Sequence, residues 1–423
     1  MAIDDYTDLP KSTLPVVQSA YRASLELAIA KGVDRARGIQ CMAAALDNAL
    51  EEILEANTLD LEMSREMAVP DLILDWLKLT PERLQAAIQI LQRLGRLSDP
   101  TLRVMNVPYQ LDCSQTYCQL MPLGVIALIY EAFPELGAIA AGMCLKTGNS
   151  LILRGGSEAS HSNTVIHQTL QLALENAGLP AGCVEILHAD GGSSIQDLLT
   201  QDRHINLAIP YGRPSLIKQA IGLATVPVLK SAMGNCYLYW SESGDLDLVR
   251  SIAIDSHASE PDPVNAIEKI LVSRHLKSTS LVRLFNNLQE QGFELRGNDS
   301  LVGEFPDQLT LADEEEWGTA FLDKIIAFKG ADGLDDAIAF MNRYSSGHAD
   351  CLVTESYAES RQFARRIDSA LVYINTSPRF SRNPPGGDSV FLGMSNQKGD
   401  RRGLVGLETL TTLKQVVQGG RRF

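Results

Sequence analysis

Aromatic residues are scarce in this 423-residue chain, at 6% with three tryptophans, and no apolar run is long enough to span a bilayer. The longest apolar stretch, Pro122 to Leu145, is broken by Glu131, Pro134 and Glu135, short of the roughly 20 mostly apolar residues a spanning helix needs. Seven cysteines, an odd number scattered along the chain, do not make a disulfide framework. They read as free, mostly buried thiols in a reducing cytoplasm. Positive charge is also in short supply: 37 Lys plus Arg face 52 Asp plus Glu, a formal net charge of −15. Such a surface repels phosphate backbones and anionic lipid, so neither nucleic acid nor a membrane is the expected partner. The opening Met-Ala-Ile-Asp-Asp-Tyr has no basic or apolar signal region, so no secretory leader is expected. The chain also lacks Gly-x-Gly-x-x-Gly after a strand, a P-loop, His-Glu-x-x-His and Gly-x-Ser-x-Gly. Cys113 and Cys118 have no second matching pair, so no zinc site is expected.

The composition that remains is globular, 45% hydrophobic and 21% charged, and the length calls for two or three domains. The first hundred residues read as helices, over Ser24–Leu50, Leu59–Trp76 and a stretch opened by Thr80-Pro81-Glu82. That triplet supplies a capping hydroxyl, a proline suited to the first helical position and an acid matched to the dipole. From Asp99-Pro100 onward short apolar runs alternate with helical patterns. Strands are expected at 125–130, 151–153, 184–187, 205–209 and 226–229, with helices at 135–145, 165–177, 195–199 and from 215. The alternation resumes after Asn235 with helices at 245–256, 280–291 and 335–344 and strands at 269–272 and 370–374. Alternating strands and crossover helices imply an α/β fold with parallel sheets covered on both faces.

The strongest local signal is Leu151-Ile-Leu-Arg-Gly-Gly-Ser-Glu158, a strand running through Gly155-Gly156 into a helix. Strand ends that meet helix N-termini are where α/β proteins hold phosphates and nucleotides. Arg154 could meet a phosphate there, and Ser157 and Glu158 ribose hydroxyls. A tight turn whose arginine pairs with a neighbour accounts for the same residues.

Taken together, several segments resemble the γ-glutamyl phosphate reductases, a family of the aldehyde dehydrogenase superfamily. They are Pro122-Leu-Gly-Val-Ile126, Tyr130-Glu-Ala132, Cys144-Leu-Lys-Thr-Gly-Asn149, Ile152-Leu-Arg-Gly-Gly-Ser-Glu158 and Gly234-Asn-Cys236. The matches continue at Leu334-Asp-Asp-Ala-Ile338, Gly347-His348, Val372-Tyr-Ile-Asn375, Arg379-Phe380 and Gly406-Leu-Glu-Thr-Leu-Thr-Thr412. The resemblance implies an aldehyde dehydrogenase-like fold of two Rossmann-like parallel-sheet domains with a small oligomerisation arm. It implies a cofactor-binding domain from residues 1–106 and 121–236, a catalytic domain at 237–375, and an arm and tail from 107–120 and 376–423. It implies NADPH-dependent reduction of L-glutamyl 5-phosphate to L-glutamate 5-semialdehyde and phosphate, in proline biosynthesis. The cofactor residues it implies are Lys146, Asn149, Arg154, Gly155, Gly156, Ser157, Glu158 and Gly212, with Asn265 and Cys236 on the catalytic side. The implied partners are a small-molecule substrate and further copies of the chain, or an active homologue in a mixed oligomer.

The departures carry as much information. The family's nucleophile segment, Gln-Arg-Pro-x-x-Cys-Asn, is here Ser259-Glu-Pro-Asp-Pro-Val-Asn265, so Val264 stands where the cysteine belongs and Glu260 where the arginine belongs. Valine has no nucleophilic atom. Phe133 and Tyr211 replace family arginines, Glu135 an asparagine, Arg213 a glycine and Met394 a glutamate. Cys236 reads either as a substitute nucleophile or as a buried thiol, Cys144 and Cys351 as core, His257 as a base or a packed ring, and Asp313–Glu316 as a solvated face. Three readings follow: an active reductase with a revised mechanism, a non-catalytic paralogue, or another enzyme on the same scaffold.

Overall fold

A computed structural model describes residues 13–106, 114–189, 195–258, 263–398 and 402–419. The chain forms two compact units. One runs to Ser231 and takes back Arg382–Gly393 and the stretch from Leu404; the other holds Ala232–Ser381 and Met394–Gly403.

In the first unit, the parallel strands Val184–Ile186, Ser150–Gly155, Val125–Tyr130 and Leu207–Gly212 lie side by side in that order. The register aligns Ile126 with both Leu151 and Leu207. Every side chain of Val125–Tyr130 is buried, which is why the sequence shows an unbroken apolar run there rather than an alternation. One face packs against Val17 and Ala20 of helix Thr13–Ile29, with Leu198, Leu199 and Ile205. Each such Leu or Ile contributes about 1.5–3 kcal/mol on full burial. Helix Pro134–Thr147 has all its residues buried. Helix Pro81–Arg96 crosses it so closely that a Cβ on Gly142 would lie 2.3 Å from Leu91 Cδ2. The Thr80 hydroxyl caps this second helix at the Arg83 amide, as its sequence signature requires.

Three expectations need correction. The run Ser24–Leu50 is divided between helices Thr13–Ile29 and Gly32–Asn48, because Lys31 is extended and Gly32 lies against Asp99, where a Cβ would fall 2.3 Å from Oδ2. The run Leu59–Trp76 is divided between Leu50–Glu66 and Asp71–Leu77, where Ala68 takes φ +53° and Pro70 starts the next helix. The expected strand 226–229 reduces to a single bridge between Val228 and Ala208. A separate antiparallel sheet joins Val104–Asn106, Ser114–Pro122 and Thr411–Gly419, the last pairing with the middle strand from Thr411↔Pro122 to Gly419↔Ser114.

The second unit is a seven-stranded sheet in the order Thr310–Leu311, Glu294–Gly297, Ile325–Ala331, Ile267–Ser273, Cys236–Trp240, Ala349–Val353, Leu371–Ile374, parallel throughout. Helices Leu246–Ser256 and Ser278–Glu290 cover one face through Val249, Ile252, Leu284 and Phe285. Helices Leu334–Tyr344 and Tyr357–Arg366 cover the other through Ala337, Met341 and Phe363.

Candidate functional site

In the first unit the chain leaves strand Val125–Tyr130 toward Ser150–Gly155 on one side, whereas Leu207–Gly212 flanks it on the other and leads away outward. The crevice at the carboxyl ends of these two central strands is therefore a topological switch point, the position where open α/β sheets bind ligands. Glu131 follows the first strand, and its carboxylate accepts the Arg213 amide at 2.8 Å and the Arg213 Nη2 at 2.9 Å. Gly212 makes this approach feasible: it takes φ +147°, and a Cβ there would lie 2.6 Å from Glu131 Oε2.

The neighbouring strand ends at Gly155, where a Cβ would strike Asn163 Nδ2 at 2.1 Å; Asn163 Oδ1 in turn accepts the Tyr130 hydroxyl at 2.9 Å. At Gly156 a Cβ would lie 2.0 Å from Glu158 Oε1. Glu158 Oε1 accepts the Ala132 amide at 2.9 Å. Burial pushes the Glu158 carboxyl above its ordinary range, with Glu131 adding to the shift and two backbone amides opposing it. Arg154 donates to the Gly155 carbonyl at 2.6 Å, and Ser157 opens a short 3-10 turn. Gly155, Gly156, Ser157, Glu158, Gly212 and Arg154 are thus gathered at the carboxyl edge. Gly156 leaves the space its Cβ would take to the Glu158 carboxylate, a half-buried acceptor whose chemistry fits the hydroxyls of a ribose.

Lys146 and Asn149 are not part of this group. Lys146 lies in the last turn of helix Pro134–Thr147, buried, with its ammonium on the Leu97 carbonyl. Asn149 is buried between the Gly124 amide, the Thr147 hydroxyl and the Leu410 carbonyl. Both stand at the amino edge of the sheet, a strand's length from the crevice, and serve the frame. The expectation of a phosphate on the helix after Gly155-Gly156 also changes. Buried Asp60 already accepts the His161 amide at 3.0 Å, the Ser162 amide at 2.8 Å and the Ser162 hydroxyl at 2.6 Å. One carboxylate occupies that positive helix end, so a second anion there would meet like charge. Nothing in the spacing of a residue one hundred positions upstream signals this.

The replaced family positions form contacts with one another. Phe133 lies between Trp76, stacked at 4.9 Å, and Tyr211, edge-on at 5.5 Å. Glu135 pairs with Arg83 at 2.6 Å in a nearly buried ion pair. Met394, in the second unit, is fully buried.

In the second unit, Val264, Cys236 and His348 meet around Gly234 at the amino edge of the sheet. A Cβ on Gly234 would lie 2.6 Å from the Val264 carbonyl oxygen, 2.8 Å from Cys236 Sγ and 3.1 Å from His348 Cγ. Val264 is 1% exposed, and its carbonyl accepts the Gly234 amide at 2.8 Å. Cys236 is fully buried; burial first, and the Asp350 charge second, hold its thiol well above the ordinary range, so it is protonated at neutral pH. Asn265 is buried, donates Nδ2 to the Pro378 carbonyl at 3.1 Å, and leaves Oδ1 without a partner. Asp350 is pushed up to about 6 by burial, although the Ser369 hydroxyl, the Tyr237 amide and the Ser345 hydroxyl all donate to it. His257 packs edge-on to Phe293 with Nε2 on the Ile267 carbonyl, and burial lowers its pKa, so it is a packed ring and neutral. Cys144 and Cys351 are buried, their thiols likewise raised. Glu260 and Asp262 lie outside the described residues. Glu316 of the acidic run is drawn inward to Arg296 and the Asp313 amide rather than left wholly to solvent.

Parallel sheets with a switch-point crevice of this kind define a class, and residues 11–255 match the model of the aldehyde dehydrogenase family. The chain is 55% identical to the gamma-glutamyl phosphate reductase 2 of Synechocystis sp., over 98% of its length and 99% of that protein. It is 39% identical to the gamma-glutamyl phosphate reductase of Gloeobacter violaceus, over 95% and 96%. The crystal structure of the Thermotoga maritima gamma-glutamyl phosphate reductase superposes with a TM-score of 0.88 at 33% identity, covering 97% of this chain and 99% of that one. The chain belongs to the gamma-glutamyl phosphate reductases of the aldehyde dehydrogenase family. These relatives, named as reductases over almost the whole length, give the non-catalytic reading no support. Among the described residues no helix is long and apolar enough to cross a membrane, and no group of three or more His, Cys, Asp or Glu is placed to hold a metal.

Proposed function

We propose that this chain reduces L-glutamyl 5-phosphate to L-glutamate 5-semialdehyde, releasing phosphate, in the cytoplasm as a step of proline biosynthesis, with NADPH as cofactor. The observation that carries the reading is the 55% identity to a gamma-glutamyl phosphate reductase across 98% of the chain. The carboxyl edge of the first unit's sheet supports this reading for the cofactor. In this reading Glu158 accepts the ribose hydroxyls, with Ser157 and Arg154 beside it, while Gly155 and Gly212 leave room for Asn163 and Glu131 at the same edge. NADPH, when bound, supplies the hydride.

Val264 cannot form an acyl thioester, and burial keeps Cys236 protonated. The acyl phosphate is an activated carbonyl in its own right, so the reading takes phosphate as the direct leaving group. Oligomerisation fits strand Thr411–Gly419, an outer strand of its sheet that exposes Leu413 and Val417. It is the natural edge for a second copy.

The test is an assay in the oxidative direction, with glutamate semialdehyde, phosphate and NADP, read as NADPH absorbance. The unmodified protein should turn over, and NADH should replace NADPH poorly in the forward reaction. No turnover in the unmodified protein, but turnover in Val264→Cys, would show that a lost thiol had silenced it.

A further inference from the structure

Helices Gly32–Asn48 and Pro81–Arg96 lie side by side in the first unit and run in opposite directions. Near one end Gly95 lies against Gln40, where a Cβ would fall 2.9 Å from Gln40 Cγ. Near the other, Gln85 donates Nε2 to Asp47 Oδ1 at 2.8 Å. Each helix is anchored by a buried apolar face, the first through Ile39, Met42 and Leu46, the second through Leu84, Ile88 and Leu91. Between them opens a cavity of about 390 Å³, lined by Gln40, Ala43, Ala44, Asp47, Gln92 and Arg96. Sites for small molecules occupy roughly 300–1,000 Å³.

The cavity holds one cation and one anion, and they do not pair with each other. Arg96 has neither an ion pair nor a hydrogen bond among the described residues. The partner of Asp47 is the neutral Gln85 amide, on Oδ1, which leaves Oδ2 for a ligand. Asp47 also stands in the last turn of its helix, where there is no basic residue. The carbonyls at that end carry partial negative charge, so carboxylate and helix end together attract a cation that the chain does not supply. The two charges are well separated. Arg96 follows Gly95 at the level of Gln40, and Asp47 lies seven residues further along the first helix, about 10 Å at 1.5 Å per residue. Buried Ala43 and exposed Ala44 form the wall between them, with the amides of Gln40 and Gln92 beside it.

We propose that this cavity binds a linear amino acid, one that carries its carboxylate and its ammonium at opposite ends of a short methylene chain. The Arg96 guanidinium receives the carboxylate, for which its planar fork is suited. Asp47 and the helix carbonyls receive the ammonium, and Ala43 and Ala44 pack against the methylenes. A ligand with one charge only would satisfy one end and leave the other bare. The site is separate from the cofactor crevice: one residue past Arg96, the Leu97 carbonyl holds Lys146 at the amino edge of the sheet, whereas the crevice lies at the carboxyl edge. The inference does not depend on the reductase reading.

The test is calorimetric titration of 5-aminopentanoate into the full chain saturated with NADP, so that the crevice is occupied. The unmodified protein should bind it saturably. Pentanoate and pentylamine, each with one of the two charges, should bind on the order of tenfold more weakly or worse, the scale of one charge-assisted hydrogen bond. Glycine, whose charges are too close together to reach both ends, should also bind weakly. Arg96→Gln should bring the Kd for 5-aminopentanoate near that of pentylamine, and Asp47→Asn should bring it near that of pentanoate. Ala44→Leu, which fills the wall and keeps both charges, should weaken binding as well. All three changes are at exposed positions, so Tm and the Kd for NADP should stay close to wild type. The proposal is overturned by any of three results: no saturable binding at millimolar 5-aminopentanoate, half-ligands that bind as well as the whole, or affinity unchanged in Arg96→Gln and Asp47→Asn.

Discussion

Replacing Gly156 by Ala offers a clean probe of the cofactor crevice. The backbone at Gly156 has φ −66° and ψ 159°, extended values that alanine adopts without strain. The new methyl would lie 2.0 and 2.2 Å from the two Glu158 carboxylate oxygens, so the carboxylate must swing away. That movement breaks its 2.9 Å hydrogen bond from the Ala132 amide. A hydrogen bond to a charged acceptor contributes about 1.5–3 kcal/mol, and the stiffer unfolded chain of a Gly→Ala change returns about 0.4–1 kcal/mol. The net loss of stability should be about 1–2 kcal/mol, a few degrees in Tm for a unit of this size. The effect on ligand should be larger. If Glu158 receives ribose hydroxyls, its displacement raises the NADP Kd on the order of tenfold or more. Fluorescence titration measures this directly, and the thermal shift given by saturating NADP should shrink with it. Glu158→Gln, which keeps the shape but not the charge, should give an intermediate Kd. Wild-type NADP affinity in Gly156→Ala, alongside the expected fall in Tm, would refute the placement of the ribose at Glu158.

Asp350 has its pKa raised from 3.8 to about 6, so the folded state holds its proton more tightly than the unfolded one. Its contribution to stability therefore falls as pH rises through that window, by about 3 kcal/mol in full. The difference in unfolding free energy between Asp350→Asn and wild type should accordingly swing in favour of the variant between pH 4 and 6 in denaturant titrations; a flat difference would count against the raised pKa. Cys236, buried and protonated, should resist iodoacetamide in the native protein, and Cys236→Ala should keep most of the wild-type turnover. Loss of turnover at unchanged Tm would make it the nucleophile after all. Gly142→Ala should cost about 1–3 kcal/mol by overpacking Leu91 and Leu94, and additional Leu91→Ala should recover part of it.

The fold was largely legible because its central strands are buried on both faces. Val125–Tyr130 is a continuous apolar run for that reason, Ile270–Val272 is the apolar part of strand Ile267–Ser273, and the helix at Pro81 announces its own start in three residues. Several strands were missed, among them the seven-residue Ile325–Ala331 inside the second unit's sheet and the antiparallel Ser114–Pro122 and Thr411–Gly419. Glu294–Gly297 and Thr310–Leu311 are strands only because neighbours offer them hydrogen bonds, which no local pattern records. Of the candidate site, the Gly155–Glu158 turn was visible, since glycines at a strand end and an acid beyond them are local signals.

Sequence by itself determined the alternation of strands and helices, the family, and the absence of a thiol at Val264, all of which are properties of residue identity and order. Tertiary structure decided which polar groups are available. It sent Lys146 and Asn149 to the amino edge, gave the helix after Ser160 to Asp60, spent Arg213 on Glu131, and buried Cys236 beyond ionisation. Charge neutralisation, hydrogen-bond occupancy and desolvation act between residues tens to hundreds of positions apart, so they exist only once the chain has folded.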